Sequence, residues 1–180
     1  MMELPSKKYR IIYADPPWSY KTWSKAGLKR TASSHYDVMD LEDIKAMPVK
    51  DIADDNDCAL FMWATYPNLI EAFEVLDAWG FCYKTVGFTW VKKNKVSDSW
   101  FWGMGHWTRA NAEICLIATR GNPKVVSHAV HQVVDARIER HSKKPDEVRD
   151  RIVKLMGDKS RVELFARQTS EGWDSWGNEL

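Results

Sequence analysis

The run Tyr9-Arg10-Ile11-Ile12-Tyr13-Ala14 is stopped at once by Asp15, Pro16 and Pro17. Apolar, β-branched and aromatic residues over so short a length predict a buried strand. Two successive prolines lack backbone donors and fix φ, so neither the strand ladder nor a helix can continue through them. A buried strand must therefore end in a rigid polar loop. In an open α/β sheet such a loop lies where ligands bind, outside the carboxyl ends of the strands.

The rest of the chain supplies the partners such a strand needs. Leu41, Ile44 and Met47 recur at helical spacing after a candidate N-cap, Asp40, and Pro48 closes the helix. Cys58 to Thr65 is a second buried strand. Pro67 opens a helix whose Leu69, Ile70, Phe73, Leu76 and Trp79 make an apolar stripe ending at Gly80. Phe81 to Val91 and Glu113 to Thr119 are further strands, the latter ended by Arg120-Gly121-Asn122-Pro123, and short apolar stretches span Val125 to Val134. Pro145 to Met156 is an amphipathic helix stopped at Gly157, and Arg161 to Ala166 is a last strand before a Gly/Trp-rich tail. Strands alternating with helices predict one α/β domain over residues 1–180, with a largely parallel sheet flanked by helices. Residues 19–39 and 92–110 are read as long substrate-facing loops.

A net charge of +1 leaves partners undecided, so local patches carry the argument. Lys21, Lys25, Lys29 and Arg30 surround a Ser/Thr/Gly stretch, Lys92, Lys93 and Lys95 follow a strand, and Arg137, Arg140, His141, Lys143 and Lys144 cluster further on. Ten tryptophans are unusual in 180 residues. Trp18, Trp23, Trp90, Trp100, Trp102, Trp107 and Trp176 fall in expected loops or strand ends, where rings interleaved with Lys and Arg suit stacking on bases. Trp63 and Trp79 sit inside periodic segments and are assigned to the core. Cys58, Cys82 and Cys115 are widely spaced among apolar neighbours and read as buried free thiols of a reducing cytosol. No apolar run is long enough for a membrane helix and the N-terminus has no leader pattern, so a cytoplasmic protein is expected. Gly103-Met104-Gly105 lacks the third glycine of a phosphate loop, and His128 and His131 lack companions for a zinc set, so no metal is expected.

Asp15-Pro16-Pro17-Trp18 suits one kind of chemistry. An exocyclic amino group such as that of adenine is a poor nucleophile because its lone pair is delocalised into the ring. Two acceptors on its protons pull it toward an attacking geometry; the Asp15 carboxylate and the Pro16 carbonyl can supply them from a preorganised backbone. Trp18 can stack on the base and exclude water. A plain strand-ending turn is the competing reading of the same residues.

These motifs occur in a longer ordered series: Ala14-Asp15-Pro16-Pro17-Trp18, His35 to Met39, Leu60 to Thr65, Trp90-Val91-Lys92, Gly105 through Glu113, Arg120 to Pro123, Ser142 to Glu147, Glu163 to Arg167 and Trp176 to Glu179. The series resembles the adenine-N6 methyltransferases typified by the catalytic subunit of the eukaryotic messenger-RNA adenine methylase, with small bacterial and phage members. The resemblance implies a Rossmann-like methyltransferase with permuted motif order that uses S-adenosylmethionine. It implies that Asp15, Pro16, Pro17 and Trp18 are catalytic and that residues 142–180 bind the cofactor. Within that part, Lys144 would hold the methionine carboxylate, and Arg167, Thr169, Asn178 and Glu179 the ribose and adenine. Family members often carry His and Asn after that arginine, where this chain has Gln168, Thr169 and Ser170.

For the acceptor, the resemblance points to Tyr36 and Glu113, with Trp90, Lys92, Trp107 and Arg109 nearby in the chain. DNA is the expected acceptor, because the long extensions of the eukaryotic RNA enzymes are missing here, and a bacterial or phage-infected cell is the expected setting. RNA is the alternative, as is a catalytically inactive nucleic-acid-binding partner subunit. The intact Asp15 loop together with Lys144 and Asn178 argues against the latter. A homodimer or a partner subunit fits the sequence equally well.

Overall fold

A computed structural model describes residues 3–19, 39–105, 107–140, 143–178 and 180. Tyr36, Glu179, Trp23, His141 and the basic residues Lys21, Lys25, Lys29 and Arg30 lie outside the described residues. Seven strands form a single sheet: β1 (Ile11–Ala14), β2 (Asp57–Ala64), β3 (Cys82–Lys93), β4 (Ala112–Gly121), β5 (Val133–Arg137), β6 (Arg161–Leu164) and β7 (Asp174–Trp176), in the order β5-β3-β4-β2-β1-β6-β7. Among the described strands, β4 runs antiparallel to its neighbours β2 and β3, and all other pairings are parallel. The expected largely parallel α/β architecture is present, as a mixed sheet.

Alternation along the strands makes two cores. Ile12, Ala14, Leu60 and Met62 face α1 (Leu41–Ala46), α2 (Val49–Ile52) and α3 (Leu69–Ala78) on one side of the sheet. Ile11, Tyr13, Phe61 and Trp63 face Val148, Ile152 and Met156 of α4 (Glu147–Met156) on the other. A side-chain period of two allows one short strand to serve both layers. Alternation also explains why β1 and the middle of β2 read as continuous apolar runs.

Several local expectations are corrected. Pro48 ends α1 but immediately caps the four-residue α2, and Asp40 makes no side-chain capping bond. Of the α3 stripe, Leu76 and Trp79 are buried with Ala72 and Val75, but Ile70 is 75% exposed and Phe73 packs edge-on against Tyr83 at the surface. Pro67 opens a 3-10 turn (Tyr66–Asn68) before the helix, and Ala72, Val75, Leu76 and Trp79 lie on the face of Leu69, with Ile70 and Phe73 beside it. Cys58 and Cys115 are buried, whereas Cys82 is exposed at the start of β3. Val125, Val126 and Val133 are exposed; of that stretch Val134 is buried in the core and Val130 packs against it, half-buried. The strand from Arg161 is not the last: Asp174–Trp176 in the tail is β7.

Gly177, directly after β7, lies against the segment that follows β6. A Cβ there would stand 2.2 Å from the Ala166 carbonyl oxygen, while Ala166 N–H donates to the Trp176 carbonyl at 2.9 Å. Gly177→Ala is therefore expected to separate the two loops and lower stability by about 2 kcal/mol, as overpacking does, measurable by chemical denaturation.

Candidate active site

β1 leads outward to β2, and β6 leads the opposite way to β7, so the strand order reverses between β1 and β6. Open α/β sheets place ligands at the carboxyl edge of such a reversal. Here that edge carries Asp15 after β1, Phe165 to Thr169 after β6 and Gly177-Asn178 after β7. Phe165 adopts φ 60°, a conformation that costs a bulky residue energy and clusters at functional sites. Its ring is held edge-on to Trp176 at 5.5 Å.

At this edge four chain segments meet through charge. Lys144 Nζ donates to Asp15 Oδ2 at 2.7 Å and lies 3.3 Å from Glu113 Oε2. Lys92 pairs with the other Glu113 oxygen and sits over the Trp90 ring at 4.9 Å. The Lys144 side chain is 9% exposed and its ammonium lies 5.7 Å from the Trp63 ring centroid. Burial disfavours all these charges, but the balance differs between them. Burial raises the Asp15 pKa, since its one close ammonium is shared and Glu113 opposes its charge. Glu113 is also buried, yet two ammonium partners hold its pKa down at about 2. For Lys144, the two carboxylates outweigh burial and keep it protonated well above the ordinary lysine range.

Activity that needs ionised Asp15 should accordingly be lost as the pH falls through a value above that of an ordinary aspartate. Glu113→Gln removes the opposing charge, so the acid limb of kcat/KM is expected to move to lower pH. A pH–rate profile of the two proteins reads this directly.

The loop itself is rigid. Trp18 N–H donates to the Pro16 carbonyl at 2.8 Å, and Met39 N–H to the Pro17 carbonyl at 3.2 Å. The Pro16 carbonyl is thus engaged on one side by the loop's own backbone. A carbonyl has two lone pairs, so a second acceptor site remains. The Trp18 ring is buried and its Nε1–H donates to the Trp63 carbonyl at 3.0 Å, which makes it part of the core beneath the loop rather than an open stacking surface. Trp90 and Trp176 are likewise buried, with indole N–H bonds to the Ala136 and Glu3 carbonyls. Trp100, Trp102 and Trp107 are exposed, as a base-stacking role requires.

Asp15, Glu113, Lys92, Trp90 and Lys144 are thus brought together. Arg167 exerts an attractive field on Asp15 and belongs to the same rim. Thr169 and Asn178 are exposed on the loops after β6 and β7. Trp107 and Arg109 are exposed further along the segment between β3 and β4. Lys92 and Lys93 belong to β3, so the loop starts later than expected.

One feature was missed at the level of sequence. Glu163 of β6 is buried and receives a two-pronged bond from Arg149 of α4, with Nε and Nη2 each 2.7 Å from a carboxylate oxygen. Arg149 also lies over the Tyr13 ring at 5.7 Å. An acid flanked by Val162 and Leu164 in a buried strand was the available signal. The pair fixes α4, and with it the Lys144 segment, against the central strands.

A sheet with one reversed strand, and a buried carboxylate at the reversal of strand order, define a Rossmann-like methyltransferase domain. Residues 9–179 match the MT-A70 family model. The chain belongs to the MT-A70 family. It is 36% identical over 195 aligned residues to the type II methyltransferase M.MunI of a Mycoplasma species, covering 99% of this chain and 80% of that protein. It is 30% identical to the N(6)-adenosine-methyltransferase MT-A70-like of Arabidopsis thaliana, over 96% of this chain and 24% of that protein. With the human N(6)-adenosine-methyltransferase catalytic subunit METTL3 the identity is 28%, over 96% of this chain and 28% of that protein. The chain thus spans about a quarter of these eukaryotic relatives.

Proposed function

We propose that this chain methylates the exocyclic N6 amino group of adenine in DNA, using S-adenosylmethionine, in the cytoplasm of a bacterial or phage-infected cell. The observation that carries the proposal is the Asp15 carboxylate, set at the carboxyl end of a central strand beside the Pro16 carbonyl and fixed at 2.7 Å by Lys144. Its position suits a pair of acceptors for the two protons of an aromatic amine. The relatives named for N(6)-adenosine methylation support the target atom. The near full-length match to a type II methyltransferase of similar size favours DNA over RNA. No described helix is long and apolar enough to cross a membrane.

The residues present fit the cofactor. The Gly177–Ala166 approach and the strained Phe165 hold two loops together at the switch point, and Arg167, Thr169 and Asn178 emerge from them. These side chains, with Lys144 toward the carboxylate, would hold S-adenosylmethionine, which supplies a methyl group on a positively charged sulfur. The Asp15 carboxylate and the Pro16 carbonyl would accept from the two protons of the amine and orient it. Positive charge that develops on the nitrogen as it is methylated would be stabilised by the Asp15 carboxylate. The surplus proton then passes to Asp15, whose raised pKa makes it a better acceptor than an exposed aspartate. Lys144 and Glu113 keep the carboxylate aimed, and the Trp63 and Trp18 rings keep the floor of the site dry.

The test is methyl transfer from labelled S-adenosylmethionine to DNA and RNA oligonucleotides, single- and double-stranded, followed by nucleoside mass spectrometry. N6-methyldeoxyadenosine is the expected product, at a rate that falls steeply with salt. Label found only in RNA overturns the acceptor, and label on another base or atom overturns the chemistry.

A further inference from the structure

Glu163 carries a charge into the core beside β1, and a buried ion pair is a poor source of net stability. Desolvation cancels most of the attraction, and apolar side chains of the same volume hold a core as well. The reason for pairing Glu163 with Arg149 lies instead in what else Arg149 holds. Its Nε and Nη2 take both Glu163 oxygens, while Nη1 donates to Asp146 Oδ1 at 2.8 Å. The other Asp146 oxygen accepts from Lys143 Nζ at 2.6 Å. One guanidinium thus grips β6 along one edge and, along the other, the turn that carries Lys144.

That turn transmits position. Pro145, which is buried, stands between Lys144 and Asp146. A proline fixes its own φ and restricts the residue before it, so the Lys144 backbone follows Asp146. The two cations also rest on one aromatic floor. Arg149 lies 5.7 Å from the Tyr13 ring centroid and Lys144 5.7 Å from that of Trp63, and Trp63 Nε1–H donates to the Tyr13 hydroxyl at 2.6 Å. Glu163 is in register with Tyr13, on the strand that ends in Asp15. Arg149 is thereby referenced to the catalytic strand, and Lys144 to Arg149.

We infer that Arg149 is a positioning residue for methyl transfer: by clasping Glu163 and Asp146 together, it sets the turn from which the Lys144 ammonium reaches Asp15 and the methionine carboxylate of the cofactor. The inference rests on the proposed S-adenosylmethionine-dependent reaction. An arginine is required because a planar guanidinium meets two carboxylates along separate edges, whereas an ammonium is a point charge.

The test removes the pair together. Arg149→Met alone strands Glu163 as a buried unpaired charge, so Arg149→Met combined with Glu163→Met is the informative variant, and its midpoint in urea is expected close to wild type. Its kcat is expected to fall by about tenfold to a hundredfold, the scale of a misplaced group at a reacting centre. By calorimetry, S-adenosylhomocysteine should bind about fivefold or more weakly, whereas 5′-methylthioadenosine, which lacks the amino-acid end, should bind as it does to the wild type. Asp15 feels Lys144, Glu113, Arg167, Cys115 and Glu163. Since the paired charges of Arg149 and Glu163 leave together, withdrawal of the Lys144 ammonium should move the acid limb of kcat/KM to higher pH. Arg149→Lys should fold and remain slow. A stable double variant with wild-type rate, affinities and acid limb makes the clasp a packing feature and overturns the inference, as does equal weakening of both ligands. A double variant too unstable to assay overturns the premise that the pair is dispensable for folding, and the inference with it. If Arg149→Lys behaves as wild type while Glu163→Gln loses S-adenosylhomocysteine, Glu163 touches the cofactor itself and Arg149 positions nothing. A wild type that binds neither S-adenosylmethionine nor S-adenosylhomocysteine overturns the functional reading instead.

Discussion

Asp15→Ala is expected to fold normally, to bind S-adenosylmethionine within about threefold of the wild type, and to transfer methyl groups about a hundredfold to a thousandfold more slowly, the usual scale for one preorganised polar group lost at a reacting centre. The fold should survive because burial raises the Asp15 pKa. A carboxyl raised in the folded state contributes stability below its unfolded pKa, and that contribution is lost as the pH rises through the folded value. At neutral pH its charge therefore opposes folding, and removal should not lower the melting temperature. Asp15→Asn should lose most of the rate too, since a neutral amide is a weaker acceptor and cannot take up the proton. Single-turnover rates and calorimetric cofactor titration separate the two effects. A rate near wild type would move the chemistry away from this loop.

Lys144→Met is expected to damage both stability and activity, because it leaves Asp15 and Glu113 facing each other without their shared cation. Removing the shared cation of such a cluster, which leaves two buried like charges facing each other, destabilises by about 3 kcal/mol. Urea denaturation should show that loss at neutral pH. Glu113 contributes its stability above its unfolded pKa, and in the wild type this is lost only as the pH falls toward about 2. In Lys144→Met the loss should begin at higher pH. A double variant with Glu113→Gln should recover part of the stability, since the like charge facing Asp15 is gone, and it should not recover activity. An additive double variant would show that the two side chains act independently. Lys144→Arg should fold but remain slow, because a planar guanidinium does not place one donor between two carboxylates as an ammonium does.

The parts of this architecture legible in the sequence are those set by local pattern. The apolar run before Asp15, the run Cys58 to Thr65 and the amphipathic stretch ending at Gly157 each carry their own periodicity and stop signal, and each became the expected element. The α3 stripe failed at Ile70 and Phe73 because apolar residues occupy two neighbouring faces of the helix, the core takes only the one that also carries Ala72 and Val75, and apolar identity alone does not reveal which. Trp18 and Trp90 lie at strand ends, yet their rings turn inward to satisfy indole N–H groups on backbone carbonyls. Composition could not distinguish them from Trp107. The Asp15–Lys144 bond joins residues 129 positions apart, so no spacing rule could have found it. The family resemblance marked both residues but not that they touch. The Arg149–Glu163 clasp was missed for the same reason, although a lone acid between Val162 and Leu164 was visible.

The pairing of β1 with β6 brings Ile11 to Ala14 beside Arg161 to Leu164, so the strand made first at the centre of the sheet waits for one made almost last. On the ribosome, β1 can find β2 early, but its other edge stays open until nearly the whole domain has emerged. Closing so long a loop is slow, and an unpaired apolar edge invites pairing with other chains meanwhile. This domain should therefore fold late and cooperatively, with its active-site rim assembled in the final step, and chains that stall or break before residue 161 should aggregate rather than persist as partly active fragments.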